Sequence, residues 1–425
     1  MKRIIPQFFD LNFPLLQAGM TLGWLMICFM WMGCQNVSFQ SSSKNRPYDR
    51  ESIGLNPEVT LHRSQLPDGG VRVDMYVVVE RSNLLYSRAH AEAPFVANLQ
   101  VWLDGTAWEI LDTAWTDSPR LWRSKWTLER DILSKHAVIE IHDLQRQSIW
   151  SKSIPWTALP EWNRHDFLVW SEQGDWPSNG SNVQVGDTLL LLFPKGAQSK
   201  LWDINLVLPP QTLPPPPYST SRWAFDTLSP FPIASVSPDE MVEWIVPWGT
   251  TTWRQGDAPA TLLLHGRRLH FPELVDPINL IEPLRYIASR SEYKELTNSD
   301  HPKLAMDQFW LKCGSNADKA RMLLQTYYER VEEANHSFSG VLEGWRTDRG
   351  MVHIVFGVPD RVRQDRWNEY WIYGEEGTAN ALTFHFRRRS LNFDDNFYEL
   401  QRSFQFRSPW DRAISNWRNG RIRGD

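Results

Sequence analysis

Cysteine is the scarcest structural residue in this chain, with three in 425 residues, at positions 28, 34 and 313. Cys28 lies inside an apolar N-terminal run and Cys34 closes it, so Cys313 alone is left for the folded part. An intramolecular disulfide is thereby excluded there, as is a cysteine-based structural zinc site, which takes at least two thiolates. Basic stripes are missing as well: 45 Lys and Arg stand against 50 Asp and Glu, a net charge of −5, which makes a poor nucleic-acid binder. The short runs Arg387-Arg388-Arg389 and Arg418 to Arg423 read as solvated or carboxylate-paired. The chain has no Walker-type loop, no Gly-x-Gly-x-x-Gly, no Gly-x-Ser-x-Gly, no His-Glu-x-x-His and no EF-hand loop. Its eleven histidines are scattered, none four residues from another as a helical metal pair requires. No catalytic residues, cofactor or metal are therefore expected, and the chain reads as a non-enzyme.

Long apolar runs are also few, and the one that stands out is N-terminal. Lys2 and Arg3 precede a stretch from Leu11 to Gly33 without a charge, densest from Leu22 to Met32. This reads as a secretory signal over 1–33. Gly33-Cys34 at its end resembles a bacterial lipoprotein cleavage site, at which Cys34 would receive lipid and become the mature N-terminus. Trp31-Met32 is bulkier than the usual lipobox, and an uncleaved anchor or ordinary cleavage are the alternatives. Each of the three leaves the bulk of the chain outside the inner membrane. Removing 1–33, with Lys2, Arg3 and Asp10, makes the remainder slightly more acidic. The stretch 34–56 is rich in Ser, Asn and Gln and reads as a flexible tether.

Tryptophan, by contrast, is abundant, at 23 residues. Aromatic-rich β cores account for most of that, and exposed rings binding glycan are the functional alternative. From 57 to 157, Val71 to Glu80, Ala97 to Leu103, Thr106 to Leu111, Leu121 to Leu128 and His136 to His142 alternate as short strands, with Asp104-Gly105 as a hairpin turn. About seven strands in roughly 100 residues predict an immunoglobulin-like sandwich. A second β-rich unit is expected over 158–276, with strands at Gly186 to Phe193, Leu201 to Leu208, Glu243 to Val246 and Ala260 to Leu264. It is interrupted by Pro209-Pro210-Gln-Thr-Leu-Pro214-Pro-Pro-Pro217, which cannot join a central strand. That segment is either a stiff excursion within the unit or an exposed strip for a partner.

Over 277–425 the period changes. Ile278 to Leu296, Lys303 to Trp310 and Ala317 to Asn335 read as helices, the last with Ala320, Leu323, Leu324, Tyr327, Val331 and Ala334 on one face. Ser315 to Asp318 fits a capping-box start. Met351 to Phe356, Asn368 to Tyr373, Ala381 to Arg388 and Phe397 to Gln401 read as strands, and Trp410 to Trp417 as a last helix. The fold class expected is multidomain: all-β sandwich modules followed by an α+β domain with an antiparallel sheet. Trp371/Tyr373 and Phe384/Phe386 would line one sheet face beneath the helix at Ala317 to Asn335.

Within this last part, Gly344-Trp-Arg-Thr-Asp348-Arg-Gly350 forms a polar loop before the expected strand at Met351. Thr347 and Asp348 suit it to bind backbone N–H groups, and Arg349 to pair with a carboxylate. Glu329 or Arg330 could pin it from the preceding helix. Gly357, Pro359 and Asp360 form the exit turn. Asp348, His353, His385 and Asp360 are a conceivable acid–base cluster, outweighed by the reading of the loop as a structural lock or recognition element. Phe309-Trp310, Tyr327-Tyr328-Glu329-Arg330-Val331, Ala334-Asn335 and Phe338 precede the loop, and Trp371, Tyr373, Phe384, Phe386 and Tyr398 follow it. Over Pro283 to Arg402 this order resembles the GWxTD domain family, whose motif residues here are Gly344, Trp345, Thr347 and Asp348. Val358 and Lys312-Cys313-Gly314 depart from the family pattern. The resemblance implies a cell-envelope protein of a group of Gram-negative bacteria with no established enzymatic activity, and an envelope protein partner is expected. The expected protein is a lipoprotein anchored to the outer membrane that acts as a structural or protein-interaction module. A hydrolase or glycan-binding protein with a site near the loop is the alternative.

Overall fold

A computed structural model describes residues 40–42, 55, 57–113, 120–130, 136–155, 162–171, 176–178, 180–194, 200–221, 223, 228–237, 241–258, 261–365, 367–375, 377–378, 381–389, 391, 394 and 396–422. The expected signal at 1–33, Cys34 and the terminal 423–425 lie outside them. Within the expected tether, Gln40–Ser42 forms a short strand, β1, paired antiparallel with the C-terminal sheet.

The first β unit has the expected seven strands: β2 (Glu58–Gln65), β3 (Val71–Glu80), β4 (Val96–Leu103), β5 (Thr106–Thr113), β6 (Leu121–Arg130), β7 (His136–Asp143) and β8 (Ser148–Pro155). They form two sheets, ordered β2-β3-β6 and β5-β4-β7-β8. Strict alternation builds the core: Ala97, Leu99, Val101 and Leu103 of β4 face Val73, Met75 and Val77 of β3, all nearly free of solvent. Asp104 and Gly105 take left-handed backbone angles (φ 48° and 82°) and turn β4 into β5.

The second unit holds β9 (Leu168–Ser171), β10 (Asn182–Gln184), β11 (Thr188–Leu192), β12 (Trp202–Val207), β13 (Phe231–Val236), β14 (Met241–Ile245), β15 (Gly249–Arg254) and β16 (Leu262–Arg267). Its sheets run β14-β11-β9 and β10-β16-β15-β12-β13, with β10 parallel to β16. Phe167, Phe193 and Trp202 interlock edge-to-face at their centre, with Trp253 tilted against Phe193, which accounts for part of the tryptophan content. The polyproline segment leaves after β12, as expected.

The C-terminal part contains α1 (Pro277–Ile281), α2 (Arg290–Thr297), α3 (Pro302–Gly314), α4 (Ala317–Phe338), α5 (Asp348–Phe356), then β17 (Arg361–Gln364), β18 (Asn368–Tyr373), β19 (Leu382–Arg388), β20 (Tyr398–Leu400) and α6 (Arg407–Arg418). The sheet is antiparallel, β1-β17-β18-β19-β20, so the α+β class is present. Four expectations are corrected. The helix expected over Ile278 to Leu296 is broken: Pro283, lacking an N–H, falls in a 3-10 turn, and Ser289 with Glu292 opens α2 through a capping box. The start of α4 is capped by Asn316, which accepts from the Lys319 amide, while Ser315 ends α3 in a left-handed conformation.

The largest correction concerns Met351 to Phe356, which is the helix α5 and not a strand. Thr347 is its N-cap, accepting from the Gly350 amide, and nearly all of its residues are buried. A fully buried helix has no polar face, so its apolar run cannot be told from a buried strand by period. A consequence is the fourth correction. Trp371, Phe384 and Phe386 are fully buried on one sheet face, with Tyr373 half-buried, but the covering side chains come mainly from elsewhere. Phe356 of α5 lies 5.1 Å from Phe384 and Trp410 of α6 lies 6.0 Å from Phe356, whereas α4 meets Trp371 with Phe338 at its last turn. The middle of α4 packs elsewhere, with Tyr327 against Trp310 and Trp417.

Candidate functional site

Every residue from Val341 to Val355 is buried, so the Gly344–Gly350 segment is interior rather than a surface loop. It forms a 3-10 turn at Gly344–Arg346 that runs through Thr347 into α5. Small residues are required where it crosses its neighbours. A Cβ on Gly344 would collide with the Ala334 carbonyl of α4, and one on Gly350 with the Gly344 carbonyl.

The side chains of Trp345, Thr347, Asp348 and Arg349 each have a defined partner. The Trp345 indole N–H donates to Glu343 (2.9 Å), its amide donates to Asn335 Oδ1 (3.2 Å), and its carbonyl accepts from the Tyr286 hydroxyl (2.9 Å). Thr347 Oγ1 donates to the Gly344 carbonyl (2.7 Å) while accepting from the Gly350 amide (3.0 Å). Asp348 accepts from the Leu400 amide (2.8 Å) and from Arg402 Nη1 (3.1 Å). Burial raises its pKa above the ordinary range, opposed by the Arg402 guanidinium; the donors aimed at it are those a carboxylate takes. Arg349 pairs with buried Glu369 (3.3 Å), donates to the Asn396 carbonyl (2.8 Å), and lies over the Tyr398 ring at 4.1 Å and the Phe338 ring at 5.0 Å.

Two arginines carry the segment's influence outward to the polyproline arm. Arg346 donates to the Pro210 carbonyl; Arg402, oriented by Asp348, donates to the Pro215 carbonyl (3.1 Å). The Ser403 amide adds a bond to the Pro217 carbonyl (3.1 Å). A polyproline strand has no internal hydrogen bonds, so its carbonyls are free to be held this way. From the other side, Arg267 of β16 donates to the carbonyls of Gly340 and Leu342. Val207, Trp223, Val341, Leu342 and Phe397 form a small apolar cluster across the same junction.

The remaining predicted site residues lie apart. His353 is buried in α5 and bonds Glu333 (2.9 Å), whereas His385 stacks on Tyr370 (4.3 Å) and bonds Asn368. Asp360 is exposed and accepts from the Gly374 amide (2.6 Å), Pro359 is buried, and the Gly357 carbonyl accepts from Tyr373 (2.8 Å). The conceived cluster of Asp348, His353, His385 and Asp360 is therefore not assembled. Glu329 accepts from Gln325 (2.8 Å), while Arg330 lies over Trp417 and donates to the Ile354 carbonyl of α5 (3.4 Å). Sequence reasoning missed Arg402, Glu369, Glu343, Asn396 and Arg267. The one signal available was that buried Asp and Arg demand partners. Among the described residues, no group of three His, Cys, Asp or Glu is placed to hold a metal ion, and Trp367 is the one exposed tryptophan.

Residues 254–419 match the family model of the GWxTD domain. The C-terminal part of this chain is a GWxTD domain. Its model begins at the last residue of β15, and so takes in β16, whose Arg267 grips the segment before the motif. The GWxTD motif is thus the point at which α4, α5, β20 and the arm of the preceding β unit are tied together. No curated protein matches the chain.

Proposed function

We propose that the protein is a non-enzymatic cell-envelope lipoprotein, anchored to the outer membrane through Cys34, which serves as a structural or protein-interaction module. The burial of the GWxTD motif carries this reading: its polar groups are engaged by internal partners, and Asp348 and His353 are closed to solvent. A lock of this kind fixes the arm of the second β unit to the C-terminal domain, leaving the outer faces of the β units for contacts with other proteins. The signal-like N-terminus and the Gly33-Cys34 junction support the anchor.

Anchoring is tested by palmitate labelling of the full chain in its native cells. Label that disappears in Cys34→Ala is expected; equal label in the variant overturns the anchor. The lock is tested by in-cell crosslinking of an Arg346→Ala variant shown to be folded by circular dichroism. The same partners are expected with and without the substitution, and their selective loss would make the motif itself the recognition surface.

A further inference from the structure

The first two β units pack face to face. The outer face of β2-β3-β6 presents Thr60, His62, Tyr76 and Val78, all buried although they point away from their own core. The β9 side of the sheet β14-β11-β9 meets this face at Tyr76. Trp170 of β9 and Trp176 meet Tyr76 edge-on at 6.4 and 5.4 Å, and Arg63 forms a buried two-pronged ion pair with Asp166 just before β9. Leu168, on the outward side of β9, is buried as well.

The same outer face continues past the contact and is then left open. The pairing Leu192↔Met241, Leu190↔Glu243 and Thr188↔Ile245 sets the outward residues of β11 and β14 side by side. Met241 and Ile245 are 57% and 67% exposed, and Leu190 and Leu192 are half-buried. At the centre stands Glu243, exposed, with no hydrogen-bond or ion-pair partner among the described residues. Contiguous exposed apolar surface of this kind marks interaction sites, and the adjoining half of this very face is already an interface.

We infer that this open half-sheet is a docking surface for a partner protein presenting an apolar face with a lysine or arginine at its centre. The inference rests on the reading of the protein as an interaction module and names the surface it uses. The lone carboxylate specifies the partner's charge, because a cation opposite Glu243 removes the cost of covering it. It also argues against a second copy. A two-fold pairing through this face would bring Glu243 against its own equivalent, and like charges at an interface centre oppose association.

The test places the photo-crosslinker p-benzoylphenylalanine at position 245 of the full chain in its native cells, and at position 111 on β5 as a comparison site. Expected is an adduct at 245 with one defined protein. It should fall at least about tenfold in Glu243→Lys and return when the lysine or arginine in the partner's crosslinked segment is changed to glutamate. An adduct between two copies of this chain overturns the inference, as does an adduct indifferent to Glu243→Lys. Adducts at 111 without any at 245 leave the interaction module standing and overturn this surface. Adducts at neither site overturn both.

Discussion

Asp348 shows how much one residue can hold when it is fully buried. Its carboxylate closes the β20 backbone through the Leu400 amide and orients Arg402 toward the polyproline arm. Asp348→Ala would strand a mostly buried guanidinium and an unsatisfied amide, a situation that costs about 3–5 kcal/mol. Urea unfolding monitored by tryptophan fluorescence should show that loss in the transition that includes the C-terminal domain. Asp348→Asn keeps the shape and a hydrogen-bond acceptor, and should lose less. Both outcomes follow from the ion pair being interior, where removing one partner is worse than never having had either.

At the scale of elements, the helices are fastened by their ends. Glu292 caps its own helix by accepting from the Ser289 amide, and also takes both prongs of Arg418 at the end of α6 (2.7 Å each). The Arg418 hydrogen bonds, with help from Ser289 and Lys312, hold the Glu292 carboxyl well below its usual range. A carboxylate depressed in the folded state stabilises it above the unfolded value of about 4.5, and that contribution is lost as the pH falls toward the folded value. Glu292→Gln should therefore lower stability by about 1 kcal/mol at pH 7, with the difference from the parent shrinking below about pH 4. Denaturation midpoints from pH 7 to pH 2 provide the check, and a difference constant with pH would contradict it.

Across the whole molecule, the junctions are of two kinds. Between the second β unit and the GWxTD domain, Arg267, the Trp223 cluster and the polyproline arm form one continuous set of contacts. These two parts are expected to unfold in a single calorimetric transition, and Arg267→Ala, which leaves the Gly340 and Leu342 carbonyls without that donor, should split it in two. Between the first two units, His62 and His165 are each held down to about 4. Burial is the main cause, with Arg164 adding repulsion to both and Asp74 opposing it at His62. The unfolded chain binds these protons near pH 6.5 and the folded chain only near 4, so stability falls as the pH drops through that window. Replacing both with glutamine should flatten the melting temperature between pH 6.5 and 4, where the parent declines.

Local sequence specifies the β units, because alternation over seven short strands and a left-handed Asp104-Gly105 turn are local facts that packing had only to accept. It also determined the GWxTD domain, whose motif and flanking aromatics are legible as an ordered pattern. Tertiary structure alone decided what the motif does. Whether Met351 to Phe356 is strand or helix depends on what surrounds it, since an apolar run with no polar face fits both. Pairing is a further case: Arg349 and Asp348 announced that they needed partners, but Glu369 and Arg402 stand 20 and 54 residues away and are brought up only by the sheet. The polyproline arm is the last. Its composition fixed its extended shape, while its docking followed from carbonyls left free by that shape and from arginines that another domain supplies.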